Sequence, residues 1–308
     1  MSLETDLLLD RRRLKRRLVF WRVSAVLAVV VALLAGLRGA GLAPERAHIT
    51  RVSVNGMITE DRKQVEAIDK LADDSTVKAV ILSIDSPGGS VAGGESLHDA
   101  IARVASKKPL VVTMGGLAAS AGYMIAVPAS RIFARESTLT GSIGVLLETG
   151  EVSGLLGKIG INAEVVRSGP LKDEPSLVRP LSPEGKEVLQ GLVNDMYDQF
   201  VTIVAEGRHM DPAKVRTLGD GRAYTGRQAL SLGLVDAIGG EREAKSWLVS
   251  AKGLPAGLPV EDLSQDGGLA ARALSGSFGT LINGAWKTLI SQSVSLDGAL
   301  AVWQRSGN

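Results

Sequence analysis

The hydrophobic and polar positions of this chain fall into three textures. The first is an almost continuous apolar run from Leu18 to Leu37, broken only by Arg22, directly after a basic cluster from Arg11 to Arg17. About 20 helical residues at roughly 1.5 Å rise each span a hydrocarbon core about 30 Å thick, and an arginine near one end snorkels to the headgroups. The pattern predicts a single transmembrane anchor over 18–37, between a basic N-terminus (1–17) and a short linker (38–47). A cleaved secretory signal competes with it, because the uninterrupted stretch from Val23 to Ala35 is short. Against a signal, "AGLRGAGLAPER" offers no convincing A-x-A site and the basic region is long. By the positive-inside rule, the basic N-terminus stays in the cytoplasm and the chain beyond the anchor is exported.

The second texture runs over 48–253 and alternates strand with helix. "HITRVSVNGMI" alternates like a strand, "EDRKQVEAIDKLADD" has helical spacing, and "VKAVILSID" is the continuous apolar run of a strand buried on both faces. "SPGGSVAGGESLHDAIARVAS" reads as a Gly-rich turn with Ser90 capping a helix, and "KPLVVTMGG" as another buried strand. Further on, "RIFARESTLTGSIGVL" and "INAEVVRSG" look like strands. A long helix comes next, with Ser182 as cap and Pro183 in its first turn, and then a helix from Thr225. Strands alternating with helices predict an α/β layered fold. The third texture, 254–308, is looser; spaced apolar residues including Trp286 and Trp303 predict an amphipathic helix used for packing or subunit contact.

Composition narrows the function. A hydrophobic content of 45% supports a sizeable core, and a net charge of +2 from 35 basic and 33 acidic residues gives no global field for nucleic acid. The absence of cysteine excludes disulfides, Cys-based zinc sites and thiol nucleophiles, and three histidines make a multi-histidine metal centre a poor expectation.

Within the second texture, "MGGLAASAGYMIAVPAS" sets Ser120 alone among small and apolar residues. It is either a small polar residue opening a buried helix or a nucleophile, and a serine nucleophile requires a base. The histidines are ordinary candidates: His98 sits beside Asp99 on a helix, where neighbours face different directions, while His48 borders the linker and His209 ends a long helix. A lysine serves as base if burial favours its neutral form. Lys172, in "EVVRSGPLKDEPS", and Lys158 are equal candidates on local sequence, and each also reads as a solvated loop lysine. Backbone amides at the "DSPGGSV" turn (Gly88, Gly89) and at Ala121 suit an oxyanion site. A plain tight turn or a phosphate cradle would look alike, but the turn lacks the Lys-Ser or Lys-Thr of a nucleotide-binding loop.

Taken in order, "SIDSPGGSVAGGESLHDAI", "KPLVVTMGGLAASAGYMIA", "STLTGSIGV", "SGPLKDEPS" and "GRAYTGRQALSLGLVDAIGG" resemble the signal peptide peptidase A family of membrane-anchored bacterial serine peptidases, over about residues 48 to 240. The resemblance implies a Clp protease/crotonase-like fold of repeated ββα units and a Ser-Lys dyad, with Ser120 as nucleophile and Lys172 as general base. It further implies Ser142 as the residue orienting the lysine, Gly88 and Ala121 as oxyanion donors, and Gly89, Ser90 and Val91 along the substrate groove. Ala121 stands where many members have glycine, and Met124 where they often have an aromatic residue. The activity implied by the resemblance is hydrolysis of remnant signal peptides, and in some members of misfolded exported proteins, without metal or cofactor. An octamer-like homo-oligomeric ring, an anchor in the bacterial inner membrane and a catalytic domain on its outer side are expected with it. A crotonase-type acyl-CoA enzyme and a catalytically inactive anchored scaffold are the alternative readings.

Overall fold

The computed structural model describes residues 17–30, 46–263 and 300–302. They divide into two units, one represented by helix α1 (residues 17–30) and the other by residues 47–263 with 300–302. In α1 the apolar side chains Leu18, Phe20, Trp21, Val26 and Leu27 are exposed. The expected anchor over 18–37 runs past the described residues, and among those described no helix is long and apolar enough to cross a membrane. The amphipathic helix expected around Trp286 also lies outside the described residues.

The second unit is built on a largely parallel sheet. Strand β1 (His48–Asn55) leads through α2 (Arg62–Leu71) to β2 (Val77–Ser86). From β2 the chain passes a short strand β3 (Gly88–Ser90) and helix α3 (Val91–Lys107) into β4 (Leu110–Ala119). Then come α4 (Ala121–Met124), β5 (Arg131–Ala134), β6 (Leu139–Gly141) and α5 (Ser153–Lys158). The remaining elements are α6 (Pro183–Gly207), α7 (Pro212–Leu218), β7 (Ala223–Thr225), α8 (Gly226–Leu232), β8 (Ala237–Ile238), α9 (Glu241–Lys252), β9 (Val260–Asp262) and β10 (Leu300–Val302). The main sheet runs β7-β6-β4-β2-β1-β9, with β5 on β4 and β8 on β5; only the β6–β7 pair is antiparallel. Parallel neighbours need crossovers, and α2 and α3 supply them for β1–β2 and β2–β4.

The apolar runs of β2 and β4 go where their composition sends them. Val80, Leu82 and Ile84 face the larger core with Leu97, Ile101, Val104 and Phe200, while Ala79, Ile81 and Val111 face a smaller one closed by Ala244 and Leu248 of α9. Both faces of the sheet are therefore covered, the arrangement that continuous apolar strands require. Ser90, Ser182 and Thr225 cap α3, α6 and α8 through their hydroxyls, with a capping box at Thr225.

Two segments depart from the sequence expectation. "INAEVVRSG" forms no strand: it lies on an arm between β6 and α6 where, among the described residues, no neighbouring strand pairs with it, and Val166 is 97% exposed. Its alternating apolar pattern has the period of a strand, but a strand exists only with a partner to take its backbone groups. Conversely, β9 emerges from the loose tail and pairs with β1, Thr50 opposite Glu261.

Candidate active site

Ser120 sits at the junction of β4 and α4, buried, with φ 55° and ψ −122°. A non-glycine residue there is strained, and such strain concentrates where a side chain must be presented at a fixed angle. The surroundings over-determine it. The Ser120 N–H donates to the Gly141 carbonyl at 2.8 Å, and the Ser120 carbonyl accepts from Tyr123 and Met124 N–H groups at 2.8 and 2.9 Å. Behind the turn, the buried Tyr123 hydroxyl donates to the Leu234 carbonyl at 2.8 Å, and burial pushes its pKa up.

The small residues around Ser120 have specific neighbours. A Cβ on Gly94 of α3 would lie 3.0 Å from the Ala121 Cβ, so the missing side chain there is what admits the Ala121 methyl. A Cβ on Gly122 would come within 3.1 Å of the Ser86 carbonyl oxygen, which sets how closely α4 packs on the end of β2. In β4, the Gly115–Gly116 pair passes over Asp85, whose carboxylate accepts the Leu117 N–H at 3.0 Å across a register shift between β2 and β4. The strand then continues to Ala119 beyond that irregularity.

Ser142 comes to the same place. Ala119 pairs with Gly141 in parallel register, so Ser120 and Ser142 are the next residues on adjacent strand ends. Ser142 also has positive φ, 49°, and its N–H donates to the Arg222 carbonyl at 3.0 Å. Thr138 and Thr140 hold this turn to β4 by donating to the Gly115 and Ala118 carbonyls, each at 2.7 Å.

The "SPGGS" turn forms strand β3. The Gly88 N–H donates to the Ser86 hydroxyl at 3.1 Å, the Gly88 carbonyl accepts from Ile58 N–H at 2.8 Å, and Ser90 N–H donates to the Ile58 carbonyl at 2.9 Å. Because backbone groups alternate sides along a strand, Gly89 directs its N–H and C=O to the opposite edge. That edge is paired, antiparallel, with β10: Ser90 opposite Leu300, Gly89 opposite Ala301, Gly88 opposite Val302. Val91, the first residue of α3, is buried. No acceptor for the Ala121 N–H is found among the described residues.

Lys172 is elsewhere in character. It is exposed in a turn closed by its own N–H donating to the Gly169 carbonyl at 3.2 Å, and no hydrogen bond joins its ammonium to Ser120 among the described residues. Its acidic neighbours do not hold it. Asp173 and Glu174 pair with Arg179 at 3.1 and 2.9 Å, and Ser182 donates to Glu174 at 2.7 Å. The Ser182 hydroxyl, with Arg179, keeps the Glu174 carboxyl below the usual range. In the sequence Lys172 stands beside two carboxylates; the partner that takes both, Arg179, is legible there only as a basic residue a few positions on. Lys158, at the end of α5, is exposed as well. His98 Nδ1 does contact Asp99, at 3.1 Å, contrary to the expectation from helix spacing, yet no hydrogen bond links His98 to Ser120 among the described residues.

A strained serine at a strand-to-helix turn, framed by backbone amides in an α/β sheet, defines the class: this is a hydrolase of serine peptidase type with a Clp-protease-like fold. The chain belongs to peptidase family S49, whose model matches residues 102–255, while the Clp protease model matches 50–143. It is 38% identical over 232 residues to a protein named "Putative protease" from Synechocystis sp., covering 75% of this chain and 84% of that one. It is 34% identical over 273 residues to one named "Putative signal peptide peptidase SppA" from Enterococcus faecium, covering 84% and 77%. "Protease 4" of Salmonella typhi is 41% identical over 167 residues, 54% of this chain and 27% of that one.

Proposed function

We propose that the chain is a membrane-anchored endopeptidase that cuts remnant signal peptides with a Ser120–Lys172 dyad. The observation that carries the reading is the Ser120 backbone, φ 55° and ψ −122° in a buried turn, which aims one hydroxyl at the cost of strain. Lys172 supports it as the arm lysine whose acidic neighbours are already bound to Arg179. Neutral Lys172 takes the Ser120 proton as Oγ attacks the peptide carbonyl, and the ammonium so formed protonates the leaving amine. Water then hydrolyses the acyl-enzyme by the same lysine acting again as base. The oxyanion rests on the Ala121 amide and on Gly88, whose N–H exchanges the neutral Ser86 hydroxyl for a charged, stronger acceptor. Ser142, one residue beyond the carbonyl that holds Ser120, orients the lysine.

The arm carrying Lys172 also exposes Val152, Leu155, Ile159, Ile161 and Val166. A second copy packed on it, as in a homo-oligomeric ring, covers these side chains and desolvates the lysine toward its neutral form. The apolar segment 18–37 anchors the chain in the inner membrane with the peptidase unit outside.

The test is hydrolysis of a fluorogenic peptide with a small or apolar residue before the scissile bond, by the full chain and by Ser120→Ala and Lys172→Ala, from pH 6 to 10. The parent is active, its rate rises with pH, and both variants are inactive. Full activity in Lys172→Ala would overturn the dyad.

A further inference from the structure

The end of the sheet opposite Ser120 is cationic. Strands β1, β2, β4 and β5 run parallel and begin at one end, where Ile49 pairs with Ala79, Val80 with Leu110 and Val111 with Arg131. Ser120 follows the other end of β4, whose 10 residues at about 3.3 Å each set the two ends about 30 Å apart. Lys78 lies at the start of β2 and Arg131 opens β5, while Lys108 and Lys252 stand where α3 and α9 finish. Only part of this charge is answered locally. Asp73 is taken by Lys107 at 2.6 Å, and Asp74 accepts from the Thr76 hydroxyl. The Lys78 ammonium donates to the Ser75 carbonyl at 2.7 Å and the Lys108 ammonium to the Asp74 and Val77 carbonyls, so neither donates to a carboxylate. Arg131 and Lys252 flank the half-buried Trp247 indole, 5.8 and 5.4 Å from its ring centre, and Arg131 also lies 5.7 Å from the Phe133 ring. Among the described residues these ring contacts are their only partners, and the buried Arg131 Nε has no acceptor. A lysine in the last turn of a helix answers the helix dipole, which accounts for Lys252 but not for Lys78 or Arg131 on their strands.

Chain connectivity says what lies within reach of this end. β1 begins here, and residues 38–47 tie it to the apolar segment 18–37 by at most about 35 Å of extended chain. Trp247 packs on the same small core as Ala47, the residue before β1. We infer that this end of the sheet, centred on Arg131, Trp247 and Lys252, docks on an anionic lipid surface. Lipid phosphates accept from the Arg131 guanidinium and from the Lys78 and Lys252 ammonium groups, and the indole sits at headgroup level, where tryptophan is favoured. Each such charge near an anionic leaflet raises the docked-to-undocked ratio about fivefold. The inference rests on the anchor reading of 18–37 for bringing a bilayer within reach; the cationic end itself rests on the strand order and the side chains above. Docked this way, Ser120 stands at the far end of the sheet, in water, where it meets peptides that have left the bilayer.

The chain has no cysteine, so the full-length protein takes a single fluorophore at Ser250→Cys, exposed on α9, or at Asn55→Cys, exposed at the other end of β1. Each is reconstituted in nanodiscs of phosphatidylcholine alone and of phosphatidylcholine with about one-third phosphatidylglycerol, and quenching by a headgroup-spin-labelled lipid is measured. The expected result is strong quenching at 250 in the anionic discs, weak quenching there in the neutral ones, and none at 55 in either. Lys78→Gln, Arg131→Gln and Lys252→Gln each lower the docked-to-undocked ratio about fivefold, and so does salt at about 0.5 M or more, where the screening length is about 4 Å and no side chain has been changed. Equal quenching at 250 in the two disc types, or equal quenching at 250 and 55, would overturn the docking while leaving the anchor intact. A label at 250 shielded in both disc types from aqueous iodide and from the lipid quencher would mean that a protein surface, such as a second copy, covers this end, and would overturn the docking too. Protein that elutes apart from neutral discs yet binds anionic discs with 250 quenched would overturn the anchor reading and uphold the docking.

Discussion

Replacing Gly89 by alanine tests whether the site depends on how closely β3 approaches the chain around Ile58. A Cβ at position 89 would overlap the Ile58 carbonyl oxygen and lie 2.5 and 2.6 Å from that residue's carbonyl carbon and nitrogen. All three are backbone atoms, so no rotamer relieves the clash. Either β3 or the Met57–Thr59 segment must move, and both hydrogen bonds that join them, 2.8 and 2.9 Å, lengthen or break. Overpacking of this kind costs roughly 1–3 kcal/mol, and each lost backbone bond about 1 kcal/mol, for a total of about 3–5 kcal/mol. A displacement of about 1 Å at Gly88 and Gly89 is also enough to lower the rate roughly a hundredfold. Gly116→Ala is the control, since its added methyl meets only the Asp85 carboxylate, at 3.7 Å. Urea unfolding and peptide hydrolysis read the two effects separately. A Gly89→Ala protein with the parent's unfolding midpoint and rate would refute the reasoning, because it would mean that β3 does not lie against Ile58 as described.

The same structure sets three other outcomes. Arg208→Ala removes a guanidinium that is 9% exposed, donates to both Asp236 oxygens at 2.5 and 3.1 Å and binds the Gly233 carbonyl; it should lower stability by about 3 kcal/mol in urea unfolding, whereas a loss under about 1 kcal/mol would class the pair with surface ion pairs. Ser120→Gly should be at least as stable as Ser120→Ala although both are inactive, since glycine adopts positive φ without strain; a glycine form less stable by about 1 kcal/mol, the ordinary cost of its flexibility, would contradict the strained turn. The Gly240 N–H, then Arg242, hold the Glu243 carboxyl at about 2, below its ordinary value of 4.5. A depressed folded value means that its stabilisation is complete above about pH 4.5 and is lost as pH falls through about 2, so the thermal midpoint of the parent should drop more steeply over that window than that of Glu243→Gln, and parallel curves would contradict the assignment.

The parts of the fold legible in the sequence were those fixed by local chemistry. "VKAVILSID" and "KPLVVT" read as strands buried on both faces because each holds an unbroken apolar run, Ala79–Leu82 and Leu110–Val112, and Ser90, Ser182 and Thr225 read as caps because their hydroxyls precede helical spacing. What was illegible depends on distant partners. "INAEVVRSG" has a strand's pattern but, among the described residues, no strand beside it, whereas β9 and β10 have ordinary sequences and pair with the distant strands β1 and β3. At the site, Ser120 stood out by composition, yet its positive φ goes with a bond from its N–H to the Gly141 carbonyl of β6, a partner that no local pattern names. Gly88 was expected to offer a free amide, but Ser86, buried in the turn, accepts it. The separation of Lys172 from its acidic neighbours rests on Arg179 folding back across the arm, which no local pattern encodes.

Ser120 is proposed to act as a nucleophile activated by Lys172. Intact-mass and peptide mapping of the full chain after treatment with a fluorophosphonate probe tests it most directly, because the probe reports an activated serine without requiring the right peptide. One adduct on Ser120, absent from Ser120→Ala and formed far more slowly in Lys172→Ala, is the result predicted. Labelling at another residue, or an unchanged rate at Ser120 in Lys172→Ala, would contradict it.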